Sequence, residues 1–112
     1  MTLSRSAKYK SEADFETDIL PDLLDIWGRD IWHFDNSERR IKTRRGDPDH
    51  FFCFFGKFIA IEFKNGKTGK KPHEALQLYN LKNITTAGGV GCVCRTKKEV
   101  LDVFNYIYKK LS

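Results

Sequence analysis

Two carboxylates and one ammonium group flank a short apolar hairpin sequence in the middle of the chain. Asp49 follows a Gly-Asp-Pro tripeptide, and Glu62 and Lys64 stand in an Ile-Glu-Phe-Lys sequence. Between them, Gly56 and Lys57 predict a two-residue type II′ turn, because glycine suits the first central position of that turn. This register would set Asp49 opposite Lys64 and diagonal to Glu62, at about 7–8 Å. Because side chains alternate between the two faces of a strand, all three would share one face.

The chemistry that this arrangement suits is the binding of a divalent cation. Two carboxylates this close repel each other unless a positive charge lies between them. Mg²⁺ is commonly held by one or two carboxylates, with water and substrate phosphate as the other ligands. The pattern therefore predicts a cation site at Asp49 and Glu62. A buried network of these acids with Lys64, without chemistry, is the alternative, because a charge in a half-buried strand needs a partner.

The composition fits a single globular domain that binds a polyanion. The chain has 112 residues, 40% of them hydrophobic, and a formal net charge of +5. This length is near the common size of one domain. The basic residues form two clusters that flank the acid pair: Arg39, Arg40, Lys42, Arg44 and Arg45, then Lys57, Lys64, Lys67, Lys70 and Lys71. Such clusters favour nucleic acid as the partner, with a solvated basic surface as the alternative.

The three cysteines lack the Cys-x-x-Cys spacing of a zinc site. Cys53, Cys92 and Cys94 fall in predicted buried strands, where small thiols pack well. An odd, unbridged set is typical of a reducing cell interior, and no hydrophobic secretion signal follows the basic N-terminus. Lys57 and Glu62 interrupt the longest apolar stretch, which argues against a membrane span. An intracellular protein is therefore predicted.

Hydrophobic periodicity and turn residues predict the order α-β-β-β-α-β-α. Residues 1–10 are basic and expected to be flexible, and residues 11–112 form one domain. The predicted elements are a helix over 11–27, a strand over 30–35, hairpin strands over 49–55 and 58–64, a helix over 72–87, a strand over 90–95 and a helix over 96–111. Because both hairpin strands are apolar on both faces, helices are expected on each side of the sheet. The result is a three-layer α/β domain.

Specific residues mark the two outer helices. Pro21 should kink the first helix without dividing it, and Thr96 with Glu99 forms a capping box before the last helix. The residues predicted to face inward are Phe15, Ile19, Leu23 and Ile26 in the first helix, and Val100, Phe104, Ile107 and Leu111 in the last.

Four further polar residues are candidates for a site. Gln77 lies on the apolar stripe of the second helix, which turns its amide toward the sheet, although a satisfied core glutamine fits the same pattern. Glu12 and Glu16 lie one turn apart on the first helix, where acids also simply favour a helix N-terminus. His33 projects from the first strand and could contact phosphate or serve as a half-exposed structural histidine.

Taken in order, these residues resemble the PD-(D/E)xK nuclease superfamily, in which an acid and a Glu-x-Lys motif follow a helix that bears a glutamate. Within it, the chain is similar to the small virus-type replication-repair nuclease domain (VRR-NUC). The matching segments are 11–16, 46–49 and 61–64, with Gln77 in the second helix and Ala87-Gly88-Gly89 before the last strand. The resemblance spans residues 11–108, and the ordered set is more specific than any single motif.

The resemblance implies a three-layer αβα restriction-endonuclease-like fold with a central mixed sheet. It also implies Mg²⁺-dependent cleavage of DNA, with Mn²⁺ able to substitute. Asp49, Glu62 and the backbone carbonyl of Phe63 would hold the cation. Lys64, an ammonium beside two carboxylates, would orient the attacking water and stabilise developing negative charge rather than act as a base.

The resemblance assigns supporting roles and partners as well. Gln77 would hold water or substrate, and Glu16, in preference to Glu12, would contact the water shell of the cation. The residues expected to contact DNA are Arg44, Arg45, Lys67, Lys70, Lys71 and His33. Stand-alone members of the family resemble structure-specific homodimers that act on branched DNA such as Holliday junctions, and a phage-encoded protein in a bacterial host is one expected origin. The alternatives are a sequence-specific restriction-type endonuclease and a non-catalytic DNA-binding module on the same scaffold.

Overall fold

Three helices and four strands follow one another in the predicted order α-β-β-β-α-β-α. The structure is a computed structural model that describes residues 12–36, 46–64 and 72–111, without the side chains of residues 12–16 and 72–73. The elements are α1 (Glu12–Trp27), a 3₁₀ turn (Gly28–Asp30), β1 (Ile31–Asp35), β2 (His50–Phe54), β3 (Lys57–Phe63), α2 (Pro72–Thr86), β4 (Val90–Cys94) and α3 (Lys97–Leu111). The predicted bounds differ from these by at most one residue at either end.

A mixed sheet with the strand order β1-β2-β3-β4 forms the centre of this α/β protein. The pairs β1–β2 and β2–β3 are antiparallel, whereas β3 and β4 are parallel. A parallel pair needs a crossover connection, and α2 lies within it. The start of β2 and the carboxyl ends of β1, β3 and β4 therefore meet at one end of the sheet.

The turn between β2 and β3 differs from the predicted one. Phe54 pairs with Lys57, so Phe55 and Gly56 are the two central residues, with φ of 51° and 80°. Two positive φ values define a type I′ turn instead of type II′, and its twist matches that of the flanking strands. The ring of Phe55 packs 4.8 Å from that of Phe54 and 5.6 Å from that of Tyr108, which offsets the cost of the left-handed backbone at a residue with a side chain.

This turn shifts the strand register by two residues. Phe51 pairs with Ala60 rather than with Glu62, and the same register continued by one residue sets Asp49 opposite Glu62 rather than Lys64. A shift of two leaves each side chain on its predicted face, because side chains alternate with a period of two. The two acids are therefore direct neighbours instead of diagonal ones.

Helices α1 and α3 cover one face of the sheet and form the hydrophobic core with it. The core residues are Ile19, Leu23, Val100, Phe104 and Ile107 from the helices, and Ile31, Phe52, Phe54, Ile59, Ile61, Phe63 and Cys94 from the sheet. Two residues predicted to face inward, Ile26 and Leu111, are exposed. Trp27 takes the place of Ile26, with its ring 4.9 Å from that of Phe54. Leu111 is the last residue of α3, one turn beyond Ile107, the last residue that α3 buries.

Two predictions for the outer helices are confirmed: α1 is undivided at Pro21 and α3 begins with a capping box. α1 runs through Pro21 as one helix. The capping box at α3 is confirmed, because the amide of Glu99 donates to Thr96 Oγ1 at 3.1 Å and the amide of Thr96 donates to Glu99 Oε1 at 3.2 Å. Among the described residues, no helix has the length and apolar character that a bilayer crossing requires.

Helix α2 packs on the opposite face, where it covers only the half formed by β3 and β4. A helix about 10 Å wide covers about two strands at their spacing of about 4.8 Å. Over β1 and β2 no described element covers this face, and Trp32 and Cys53 are exposed there, together with Phe58 at the start of β3. Among the described residues, the expected helix cover is present on this face for β3 and not for β2, and the expected burial of Cys53 is wrong.

Gly91 in β4 permits the close approach of α2, and its replacement should be costly. A Cβ atom at Gly91 would lie 2.3 Å from the carbonyl oxygen of Leu81 and 2.8 Å from its Cα, so the helix backbone would have to move. We expect Gly91→Ala to lower the free energy of unfolding by about 3 kcal/mol. Gly28→Ala is the control, because its Cβ would meet no atom within 4 Å and only its positive φ costs about 1 kcal/mol. Urea denaturation of both variants measures the difference, and an equal loss would contradict this packing.

Candidate active site

Asp49 and Glu62 meet where β2 begins and β3 ends. The backbone amide of Asp49 donates a hydrogen bond to Glu62 Oε1 at 2.9 Å. Both residues are nearly buried, with 7% of Asp49 and 1% of Glu62 exposed. The predicted convergence of the two acids is thus present in the structure, in a more enclosed setting than an exposed hairpin would provide.

The segment that carries Asp49 is held from both sides by asparagines. The Asn80 amide of α2 donates to the carbonyl of Gly46 at 2.9 Å. On the other side, Asn36 donates from its side chain to the Pro48 carbonyl at 3.2 Å and from its backbone to the Asp49 carbonyl at 2.7 Å. These contacts position the Asp49 backbone independently of the hairpin turn. Sequence reasoning missed both asparagines, although Asn80 follows Gln77 by one helical turn and this spacing could have indicated it.

Gln77 connects Glu62 and Lys64, as its position on α2 predicted. The Lys64 ammonium donates to Gln77 Oε1 at 3.1 Å, and Gln77 Nε2 donates to Glu62 Oε2 at 3.2 Å. Lys64 Nζ also lies 3.6 Å from Glu62 Oε2. The glutamine therefore orients the acid and the ammonium relative to each other across the interface between α2 and β3.

Glu62 has a strongly perturbed acidity. The pKa of Glu62 is raised from 4.5 to about 8, because burial and the neighbouring Asp49 carboxylate raise it more than Lys64 lowers it. The single ammonium thus only partly offsets the cost of two adjacent buried negative charges. A second positive charge at this position would relieve that cost.

The donor set at this position fits a hard divalent cation. Two carboxylates are the usual protein contribution to a Mg²⁺ site that also takes water and phosphate oxygens. Within the described ranges, no group of three His, Cys, Asp or Glu side chains lies close enough to form a ready-made metal cluster. The Phe63 side chain is buried on the opposite face against His50, with ring centroids 4.6 Å apart, so only its backbone carbonyl can serve as a ligand.

Several predicted site residues lie outside what the structure describes. The helical backbone of Glu12 and Glu16 is present, but their side chains fall outside the described part. The predicted DNA contacts that also fall outside are Arg44, Arg45, Lys67, Lys70 and Lys71. These five residues belong to the segments 37–45 and 65–71, which follow Asn36 and Lys64 in the chain. Both Asn36 and Lys64 contact the site.

His33 lies on the face opposite the acid pair. Its Nε2 forms a 2.8 Å hydrogen bond with His50 Nδ1, and its ring stacks on that of His50 at 5.1 Å. The pKa of His33 is lowered from 6.5 to about 4, because burial and the nearby His50 lower it more than Asp35 raises it. A histidine that is neutral near pH 7 supplies no charge to a phosphate, so the structure favours the structural interpretation of His33 over a DNA contact.

No protein-family model, curated protein or solved structure matches this chain. The chemistry of the site is therefore argued from its own residues.

Proposed function

We propose that this protein is a metal-dependent DNA endonuclease that hydrolyses phosphodiester bonds, with a VRR-NUC-like, restriction-endonuclease-like fold. The observation that supports this most is the buried pair of Asp49 and Glu62, which is joined to Lys64 through Gln77. Carboxylates that are buried side by side with a raised pKa are a common feature of catalytic sites. An ion-pair network with only a structural role would gain nothing from a second acid at this position.

Each residue has a defined task in the proposed reaction. Asp49, Glu62 and the Phe63 carbonyl hold Mg²⁺ or Mn²⁺, which when bound lowers the pKa of a water ligand and stabilises charge on the phosphate. Lys64 orients the attacking water and stabilises the negative charge that develops on the phosphate oxygens. Gln77 keeps the ammonium and Glu62 in register, and Glu16 supports the water shell.

The basic segments supply DNA affinity. The segments at 37–45 and 65–71 carry the phosphate contacts, namely Arg44, Arg45, Lys67, Lys70 and Lys71. Each segment adjoins, along the chain, a described residue that contacts the site: Asn36 precedes the first and Lys64 precedes the second. Binding through such contacts weakens steeply with salt, because each neutralised phosphate releases counterions.

The proposed substrate is branched DNA, including Holliday junctions, and the proposed assembly is an intracellular homodimer. The described part of the chain has no base-reading helix of the helix-turn-helix or zinc-finger type, which favours recognition of shape over sequence. A two-fold symmetric dimer suits a junction in which two equivalent strands must be cut.

A cleavage panel tests the proposal. The purified protein is incubated with Mg²⁺ or Mn²⁺ and end-labelled four-way junctions, flaps, single strands and linear duplexes, and the products are separated on sequencing gels. We expect metal-dependent cuts near the branch points and none with EDTA. Discrete bands from ordinary duplex would instead indicate a restriction-type enzyme. Binding without cleavage under either metal would indicate a non-catalytic module.

A further inference from the structure

A row of aromatic rings lies on the open half of the sheet face that carries the acid pair. Trp32 and Phe34 stack at 6.3 Å, Phe34 and Phe51 stack at 6.2 Å, and Phe51 contacts Phe58 at 5.6 Å. Trp32 is 62% exposed and Phe58 is 46% exposed. Phe34 and Phe51 between them are half-buried, and a contiguous aromatic surface with exposed ends is typical of an interaction site.

The row begins directly beside the candidate active site. Phe51 follows Asp49 by two residues, so both side chains project from the same face. Phe34 pairs with Phe51, and Trp32 pairs with Cys53 one step further along. From Asp49 to Cys53 the sheet extends about 14 Å, at about 3.4 Å per residue. At the rise of about 3.4 Å per nucleotide in a stacked strand, this distance matches about four bases.

A cleft lies at the end of the row that is remote from the acid pair. It has a volume of about 280 Å³, and its walls include Arg29, Trp32, Cys53 and Phe55. A guanidinium beside an indole ring can bind a phosphate and a base of the same nucleotide. Arg29 shares this cleft with Asp30, and at the other end of the row Lys64 lies beside the acid pair.

We propose that this aromatic row binds unpaired bases of the DNA strand whose phosphate lies at Asp49 and Glu62. The inference rests on the proposed nuclease function and adds to it a single-stranded segment of about four nucleotides beside the scissile bond. Exposed aromatic rings next to cationic groups are the usual platform for unpaired nucleotides, because every base can stack on a ring. The formal net charge of +5 complements a polyanionic strand and opposes the approach of a second copy of this basic chain, which favours DNA as the occupant.

Fluorescence and affinity measurements test this proposal. The probes are a hairpin duplex with a four-nucleotide dT overhang, in either polarity, and the same duplex with a blunt end, both without added metal so that no cleavage occurs. We expect the overhang to quench tryptophan emission and to bind more tightly than the blunt end. Trp32→Phe should abolish the quenching yet keep the affinity, because a phenylalanine ring still stacks. Trp32→Ala should weaken overhang binding by about tenfold or more and leave blunt-end binding unchanged.

Tyr106→Ala is the matched control, because Tyr106 on α3 is also 62% exposed and lies on the other side of the sheet. If Trp32→Ala does not fold, the parent protein and Trp32→Phe still decide the question by fluorescence. The proposal is overturned if Trp32→Ala binds the overhang as tightly as the parent protein does. If Trp32→Ala also sediments as a monomer where the parent protein is a dimer, the row binds a second copy of the chain. In either case cleavage by the parent protein would persist, whereas failure of the nuclease proposal would remove cleavage altogether.

Discussion

Glu62→Gln is expected to lower the rate of metal-dependent DNA cleavage by about a thousandfold or more. The amide keeps the shape of the side chain and can still accept the hydrogen bond from the Asp49 backbone, so the fold should persist despite the loss of the hydrogen bond that Glu62 Oε2 accepts from Gln77. What it removes is one of the two negative charges that would hold the cation. Asp49→Ala and Glu62→Ala should abolish cleavage in the same way, and Lys64→Ala should abolish it by removing the ammonium that orients the attacking water. Single-turnover kinetics on a labelled junction measure the effect.

DNA binding separates this prediction from a trivial loss of structure. Affinity in the absence of metal should change little in these variants, because the basic segments supply it. Asp102→Asn is the control, since Asp102 forms an exposed pair with Lys98 on α3, remote from the acid pair. Gln77→Ala should reduce the rate by only about 10–100-fold, as is usual for a residue that orients a ligand without binding the metal. Wild-type rates in purified Glu62→Ala would refute the site.

The second large effect concerns the pH dependence of stability in the metal-free protein. The pKa of Glu62 is raised from 4.5 to about 8 on folding. Between these values the folded protein holds a proton that the unfolded chain has released. The free energy of unfolding must therefore fall as the pH rises through this window, by about 1.4 kcal/mol per pH unit.

His33 acts in the opposite direction at lower pH. Its pKa is lowered from 6.5 to about 4 on folding, so between these values the unfolded chain holds the extra proton. The contribution of His33 to the free energy of unfolding is therefore lost as the pH falls from 6.5 to 4. The contribution of Glu62 grows over the same fall in pH, so the two effects oppose each other there. Above pH 6.5 the opposing effect of His33 is largely complete, and we expect Glu62 to lower the free energy of unfolding by about 2 kcal/mol between pH 6.5 and 8.

Urea denaturation in EDTA at several pH values measures this dependence, and Glu62→Gln isolates it. The variant leaves His33 intact, so its stability should lack the decline between pH 6.5 and 8. Mg²⁺ or Mn²⁺ should stabilise the wild-type protein more at pH 8 than at pH 6.5, because the cation binds the deprotonated acid. It should have little effect on Glu62→Gln. If the free energy of unfolding depended on pH in the same way in the wild-type protein and in Glu62→Gln, Glu62 would not be the group with the raised pKa.

Much of the fold follows from short-range patterns in the sequence. The element order, the capping box at Thr96 and the inward orientation of Gln77 were all predictable, because each depends on residues within a few positions of one another. The common face of Asp49, Glu62 and Lys64 was also predictable. It survived the wrong turn type, since a register shift of two preserves the alternation of side chains.

Other features depend on contacts between distant segments, and only the tertiary structure decided them. The burial that raises the pKa of Glu62, and the asparagines that hold the Asp49 segment, arise where α2 and β1 pack beside the hairpin. The open aromatic half of the sheet follows from the width of a single helix, which covers two strands out of four. Local sequence determines which side chains share a face, whereas packing determines which of those faces meets another element and which stays open to a partner.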